Sequence, residues 1–206
     1  GELVADGLVH AVGIAASLVG MGALMAVALP RIDWATGAGL GIYGVTLVSM
    51  FTASAAYNLI PRETWKPLLR RFDQAAIFLK IAGTYTPLVI VLSSLFANVV
   101  LVLVWVAALG GGIAKLVSAQ RFEGFTTALY LGLGWASVLL VWPMFVALPA
   151  GCLLLLLAGG LLYTVGVAFH LWERLKFQNA IWHGFVLAAS GCHFGAVSWA
   201  SLATAV

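Results

Sequence analysis

The sequence predicts an all-α integral membrane protein, a bundle of seven transmembrane helices with its N-terminus in the cytoplasm. The first indication is composition: 63% of the residues are hydrophobic, 8% are charged, and the mean hydropathy is +1.09. Soluble domains carry about 25% charged residues. The second indication is that the apolar runs do not alternate with polar residues, as strands of a membrane barrel would. Because backbone polar groups find no water in a bilayer, such runs cross it as helices.

Seven apolar segments have roughly the 20 residues that a helix needs to cross a bilayer core about 30 Å thick. A short link around Ser93 and Ser94 joins the third segment to the fourth, which predicts a helical hairpin. No soluble domain interrupts the series, so residues 1–206 are expected to form a single transmembrane domain. The predicted spans are 8–28, 39–60, 74–91, 97–116, 126–142, 150–171 and 180–202.

The distribution of basic residues predicts the orientation of the bundle. The loops after the second, fourth and sixth spans carry most of the lysines and arginines, whereas the opposite loops carry only Arg31. Loops rich in Lys and Arg remain in the cytoplasm, so the N-terminus is expected inside and the C-terminus outside. The net charge of +3 is explained by this bias. Nucleic-acid binding is not expected, because no soluble module presents a basic face.

Several polar side chains fall at one depth, near the predicted cytoplasmic boundary. Asn179 and His183 are spaced i, i+4 and therefore share a helix face. Polar groups inside a bilayer are costly unless they are paired, which makes them candidates for a shared polar pocket. The alternative is that they cap helices, with Asp73 capping the third span and Asn179 the seventh. The residues at this level are Ser54, Asn58, Asp73, Gln74, Asn179 and His183, with His170, Glu173, Glu2, Asp6 and His10 nearby.

The chain resembles the hemolysin III family, the bacterial relatives of the progestin and adiponectin receptors. Four segments carry the resemblance in the right order: SAAYNLIP at 54–61, RRFDQ at 70–74, AGTYTP at 82–87, and NAIWH at 179–183 followed by His193. Glu2 and His10 fit it as well. The resemblance implies seven helices with a cytoplasmic N-terminus, located in the bacterial inner membrane.

The resemblance also implies a site. In the family three histidines are thought to hold zinc, one from the second span and two from the start of the seventh, with an aspartate that reaches the metal through water. The corresponding metal positions here are Asn58, Asn179 and His183, and the catalytic candidates are Ser54 and Asp73. Zinc strongly prefers imidazole, thiolate or carboxylate to an amide oxygen. Zinc is therefore expected to bind weakly or not at all.

Two functions remain open at the level of sequence. The first is a metal-dependent hydrolase of a lipid amide or ester, with a membrane lipid as substrate. The alternative is a non-catalytic protein that acts as a receptor, binds lipid, or forms a haemolytic pore. Neither hypothesis assigns a role to Lys80. This residue lies two turns into the third span, where it is expected either to snorkel to the surface or to pair with Asp73.

Overall fold

The computed structural model describes residues 1–117 and 123–203, and this part of the chain is helical, with no strand. Seven helices or helix pairs in it are long and apolar enough to cross a membrane, as predicted. The elements are α1 (Glu2–Ala28), α2 (Trp34–Leu59), α3 (Lys66–Leu92), α4 (Leu95–Val117), α5 (Glu123–Trp135), a 3₁₀ turn (Ala136–Leu140), α6 (Val141–Ala147), α7 (Ala150–His170) and α8 (Gln178–Ala203).

Most helices extend beyond the predicted apolar segments, because helical backbone continues into polar flanks that hydropathy does not count. The N-terminus of α2 is capped by Asp33, whose carboxylate accepts a hydrogen bond from the backbone N–H of Thr36 at 2.8 Å. Ser93, with a left-handed φ of 46°, separates α3 from α4 and confirms the short hairpin link. Residues 118–122 and 204–206 lie outside the described part of the chain.

The fifth span is the one that departs from a continuous helix, since the 3₁₀ turn divides it into α5 and α6. A change of helix type leaves backbone carbonyls without their usual partners. The Tyr85 hydroxyl lies 2.9 Å from the Leu133 carbonyl and 2.8 Å from the Gly134 carbonyl, and supplies a donor at this point. The span runs to Ala147 and so ends later than the predicted residue 142.

The core forms around α3, the most buried of the described spans, which packs against α2, α4 and α8. Close approach of α2 and α3 depends on Gly83, because a Cβ there would lie 2.1 Å from Thr46 Oγ1. Small residues permit such approach in membrane bundles, where packing rather than the hydrophobic effect drives association. The polar faces of α1, α2, α3 and α8 meet at one end of this bundle.

Candidate functional site

A cavity of about 650 Å³ opens at the end of the bundle where α2 ends and α3 and α8 begin. Its wall at this end is polar, and includes His10, Ser54, Asn58, Asp73 and His183. Its continuation toward the opposite face of the membrane is lined mainly by apolar residues, together with a few polar ones such as Lys80 and Tyr163. The volume of the cavity and its mixed polar and apolar lining are typical of pockets that bury most of a small ligand.

Ser54, on the last two turns of α2, is the centre of the polar end. Its Oγ lies 3.1 Å from Nε2 of His10 and 3.4 Å from Nε2 of His183. Asn58, one turn later, donates through Nδ2 to the Ser54 carbonyl at 2.9 Å and to Ser54 Oγ at 3.4 Å. These three polar side chains, drawn from α1, α2 and α8, contact one hydroxyl, and Asp73 of α3 interacts with it as well.

Asp6 on α1 connects the two imidazoles on their other side. Its Oδ1 lies 2.6 Å from His183 Nδ1 and 3.6 Å from His10 Nδ1, and its backbone carbonyl accepts a hydrogen bond from His10 Nδ1 at 2.9 Å. Asp6 and His10 are almost fully buried, with 4% and 1% of their surfaces exposed. Asp6, His183 and Ser54 thus follow one another in contact, with His10 as a second imidazole on the same serine.

The hydrogen-bond partners determine where the protons lie. A backbone carbonyl only accepts, so His10 Nδ1 carries the proton and, in the neutral ring, Nε2 is an acceptor. The single Ser54 proton then has acceptors in His10 Nε2 and in the Asp73 carboxylate, while the serine oxygen accepts from the Asn58 amide. His10 is thereby in the protonation state that a general base for Ser54 requires.

Asp73 also lies beside Ser54, where its carboxyl interacts with the serine side chain and has His183 and Arg70 nearby. The expectation that Asp73 caps the third span is wrong, because α3 begins seven residues earlier at Lys66, with Pro67 in its first turn. A proline is well tolerated there, since the first N–H groups have no helical partner. Because α3 begins at Lys66, Asp73 lies within the helix and forms part of the cavity wall.

The two asparagines, Asn58 and Asn179, lie in different parts of the cavity. Asn58 is half-buried next to the serine, whereas Asn179 lies in the first turn of α8 at the rim of the cavity and is exposed. The Asn179 side chain makes no hydrogen bond within the described residues. The structure thus brings Ser54, Asn58, Asp73 and His183 into one cluster and leaves Asn179 at its margin.

The sequence put Asp6 and His10 at the level of Ser54 and His183, which they contact in the structure, but did not assign them to the site. The signal was present, because Asp6 and His10 share the i, i+4 spacing of Asn179 and His183 within an otherwise apolar span. Two ionisable residues on one face of a membrane helix point to a polar interior. What the sequence did not show is that this face of α1 is turned toward α8.

The metal requirement implied by the resemblance can be tested against the residues present. Asp6, His10 and His183 each offer one ligand atom, and these atoms lie within 4.8 Å of one another. Two imidazoles and a carboxylate form the donor set of many catalytic zinc sites. This set fits a zinc ion better than Asn58 and Asn179 with His183, since an amide oxygen is a poor zinc ligand.

Comparison with known proteins agrees with the architecture. The family model described as Haemolysin-III related matches residues 4–194. The chain is 35% identical to Hemolysin-3 of Bacillus cereus, over 99% of this chain and 94% of that protein, and 33% identical to the Hemolysin-3 homolog of Bacillus subtilis, over 94% and 91%. It is 29% identical to the human Monocyte to macrophage differentiation factor, over 76% and 67%. On its fold, its polar centre and these matches, the chain is an integral membrane protein that belongs to the Haemolysin-III related family.

Proposed function

We propose that this protein is a membrane-embedded hydrolase that cleaves an ester or amide bond of a membrane lipid, with the Ser54 hydroxyl as the nucleophile. The observation that carries the proposal is the position of Ser54 Oγ between the Nε2 atoms of His10 and His183 at 3.1 and 3.4 Å. A hydroxyl is a weak nucleophile until an adjacent base takes its proton, and a base oriented by a third group is the general form of such sites.

Each step can be assigned to groups that surround the serine. Ser54 Oγ attacks the carbonyl carbon while its proton passes to His10 Nε2. The His10 imidazolium then gives this proton to the leaving alcohol or amine, and an acyl-Ser54 ester remains. Water, deprotonated by the same imidazole, attacks this ester and releases the carboxylic acid and the serine.

Two further side chains support this chemistry. The Asn58 amide, which donates to Ser54 Oγ, is placed to donate to the oxyanion that develops on the substrate carbonyl. Asp6, 2.6 Å from His183 Nδ1, holds that ring in place. Asp73 provides a second carboxylate beside the serine. The apolar wall of the cavity supplies room for the acyl chain.

A metal ion is compatible with the same centre. Asp6, His10 and His183 would hold it, and a bound zinc would lower the pKa of a water molecule and polarise the substrate carbonyl. We place the protein in the bacterial inner membrane, with the polar end of the cavity open toward the cytoplasmic leaflet.

The test uses the purified protein in lipid nanodiscs, with a fluorogenic long-chain acyl ester and an N-acyl amide. Ser54→Ala is expected to reduce turnover to background, and Asp6→Asn to reduce it by roughly 10²-fold or more. Ser17→Ala is the matched control, since Ser17 is a buried α1 serine that donates to the Ile14 carbonyl away from the cavity.

A fluorophosphonate probe should label the wild type and fail to label Ser54→Ala. Activity that persists with a chelator supports the serine mechanism, whereas activity lost to the chelator and restored by zinc supports the metal form. If the wild type neither turns over these lipids nor reacts with the probe, the proposal is wrong and a lipid-binding, receptor-like role gains support.

A further inference from the structure

A second polar group lies deeper in the same cavity, at the middle of α3. Lys80 is only 3% exposed and forms part of the cavity wall, so it does not snorkel to the membrane surface. Its Nζ donates to the Tyr163 hydroxyl at 2.8 Å and lies 4.8 Å from the centre of the Tyr163 ring. In residues 1–117 and 123–203 no carboxylate forms an ion pair with it. Lys80 therefore lies in the membrane interior with a neutral hydrogen-bond partner.

Lys80 belongs to a small cluster of polar side chains. Because the Tyr163 oxygen accepts from Lys80, its O–H is free to donate to Ser190 Oγ, which lies 2.8 Å away. The His193 ring lies 5.6 Å from the Tyr163 ring, and its buried Nδ1 has no hydrogen-bond partner among the described residues. Lys80, Tyr163, Ser190 and His193 are named here the inner polar cluster.

Glycine at position 159 allows this cluster to form, since a Cβ there would lie 2.4 Å from His193 Cδ2. Ser54 and the inner polar cluster occupy different depths, because Asp73 and Lys80 are seven residues apart on α3, a rise of about 10 Å. The cluster therefore belongs to the cavity but not to the serine centre.

Beyond the cluster the cavity wall is mainly apolar, although Thr84, Tyr85 and Ser137 also line it. Leu88, Met144, Leu153 and Leu156 line it on the side away from Ser54. Leu88 is eight residues after Lys80 on α3, which gives this part of the cavity a depth of about 12 Å. A hydrocarbon chain of medium length fits such a compartment, with its polar end at Lys80.

We infer that the inner polar cluster binds the carboxylate of an aliphatic carboxylic acid whose hydrocarbon tail occupies the apolar compartment. A buried cation in hydrocarbon is costly unless a counter-charge accompanies it. A carboxylate supplies that charge and accepts charge-assisted hydrogen bonds from the remaining Lys80 N–H groups. The apolar wall beyond the cluster selects an amphiphile over a small inorganic anion. This inference does not depend on hydrolysis at Ser54.

The test compares three ligands of equal chain length, dodecanoic acid, methyl dodecanoate and dodecyl phosphate, on the purified protein in a neutral detergent. The wild type is expected to bind the acid roughly tenfold more tightly than the ester, a ratio that one charge-assisted contact supplies. Lys80→Met should remove this preference, so that the acid and the ester bind with similar affinity. Lys66→Met is the control, because Lys66 donates to the Tyr57 carbonyl at the start of α3 and does not line the cavity.

Equal binding of acid and ester by the wild type, or tighter binding of the phosphate, overturns the inference. A preference for the acid that survives Lys80→Met overturns it as well. If Lys80→Met does not fold, Tyr163→Phe provides a milder change that removes one hydroxyl beside the ammonium group. It should weaken acid binding and shift the carboxyl resonance of 1-¹³C-dodecanoic acid, and an unchanged affinity and resonance would again contradict the proposal.

Discussion

Asn58 illustrates how a single side chain determines which chemistry the polar centre can support. Its amide nitrogen donates to two oxygens of Ser54, so the residue acts as a hydrogen-bond donor to the serine. A histidine at the same place would instead offer an imidazole lone pair to a metal. The substitution of an amide for an imidazole thus favours hydrogen bonding at Ser54 over metal coordination.

Replacing Asn58 and Asn179 together with histidine is expected to raise zinc occupancy and to add thermal stability that a chelator removes. The i, i+4 spacing of positions 179 and 183 places two imidazoles on one helix face, and a ligand that binds the folded state stabilises it. Metal analysis and melting curves with and without chelator check this. Each single replacement serves as a control that should change little. A double variant that binds no added zinc would show that these positions do not converge on a metal.

At the scale of helices, the geometry of the centre depends on how closely α2 and α3 approach. Ser54 lies on α2 and Asp73 on α3, so their side-chain contact depends on the distance between the two helices. Gly83 permits a close approach, because its missing Cβ leaves room for the Thr46 hydroxyl, which is bonded to carbonyls of its own helix. A fixed distance between α2 and α3 thereby becomes part of the site.

Gly83→Ala is expected to destabilise the protein by about 1–3 kcal/mol, the usual cost of overpacking a close interface. The matched control is Gly41→Ala on α2, since nothing lies within 4 Å of the Cβ that it would add. Melting temperatures in detergent should fall for the first variant and remain unchanged for the second. Equal melting temperatures would mean that the two helices can separate at no cost.

At the scale of the whole molecule, the polar end brings together residues of α1 and α8, the first and the last helices in the described part of the chain. Asp6 and His10 on α1 meet His183 on α8, and Glu2 accepts a hydrogen bond from the backbone N–H of Phe177 at 3.0 Å. The contact of α1 with α8 closes the bundle around the cavity. The charge bias of the loops predicts that this end faces the cytoplasm.

Cysteine labelling tests that orientation directly. In a background without Cys152 and Cys192, Arg31→Cys is expected to react with a membrane-impermeant maleimide added to intact cells, whereas Glu63→Cys should react only after lysis. Both positions are exposed in loops at opposite ends of the bundle, which makes them a matched pair. The reverse pattern would place the polar centre on the outer side of the membrane.

The sequence by itself determined the class of the protein, its seven spans and the depth of its polar residues. These follow from hydropathy and from position along each span, both of which are one-dimensional properties. The predicted level of Ser54, Asp73 and His183 agrees with their place around one cavity. The inner boundaries of the spans were less accurate, because helices such as α3 continue through polar residues that hydropathy leaves out.

Only the tertiary structure decided which helix faces meet. In a soluble helix the apolar stripe reveals the buried face, but in a bilayer the lipid-facing and core-facing sides are both apolar. The pairing of Asp6 with His183, 177 residues apart, and of Lys80 with Tyr163, 83 residues apart, depends on the rotation of each helix about its axis. That rotation is set by packing at close approaches such as Gly83 with Thr46, and composition along a single span does not encode it.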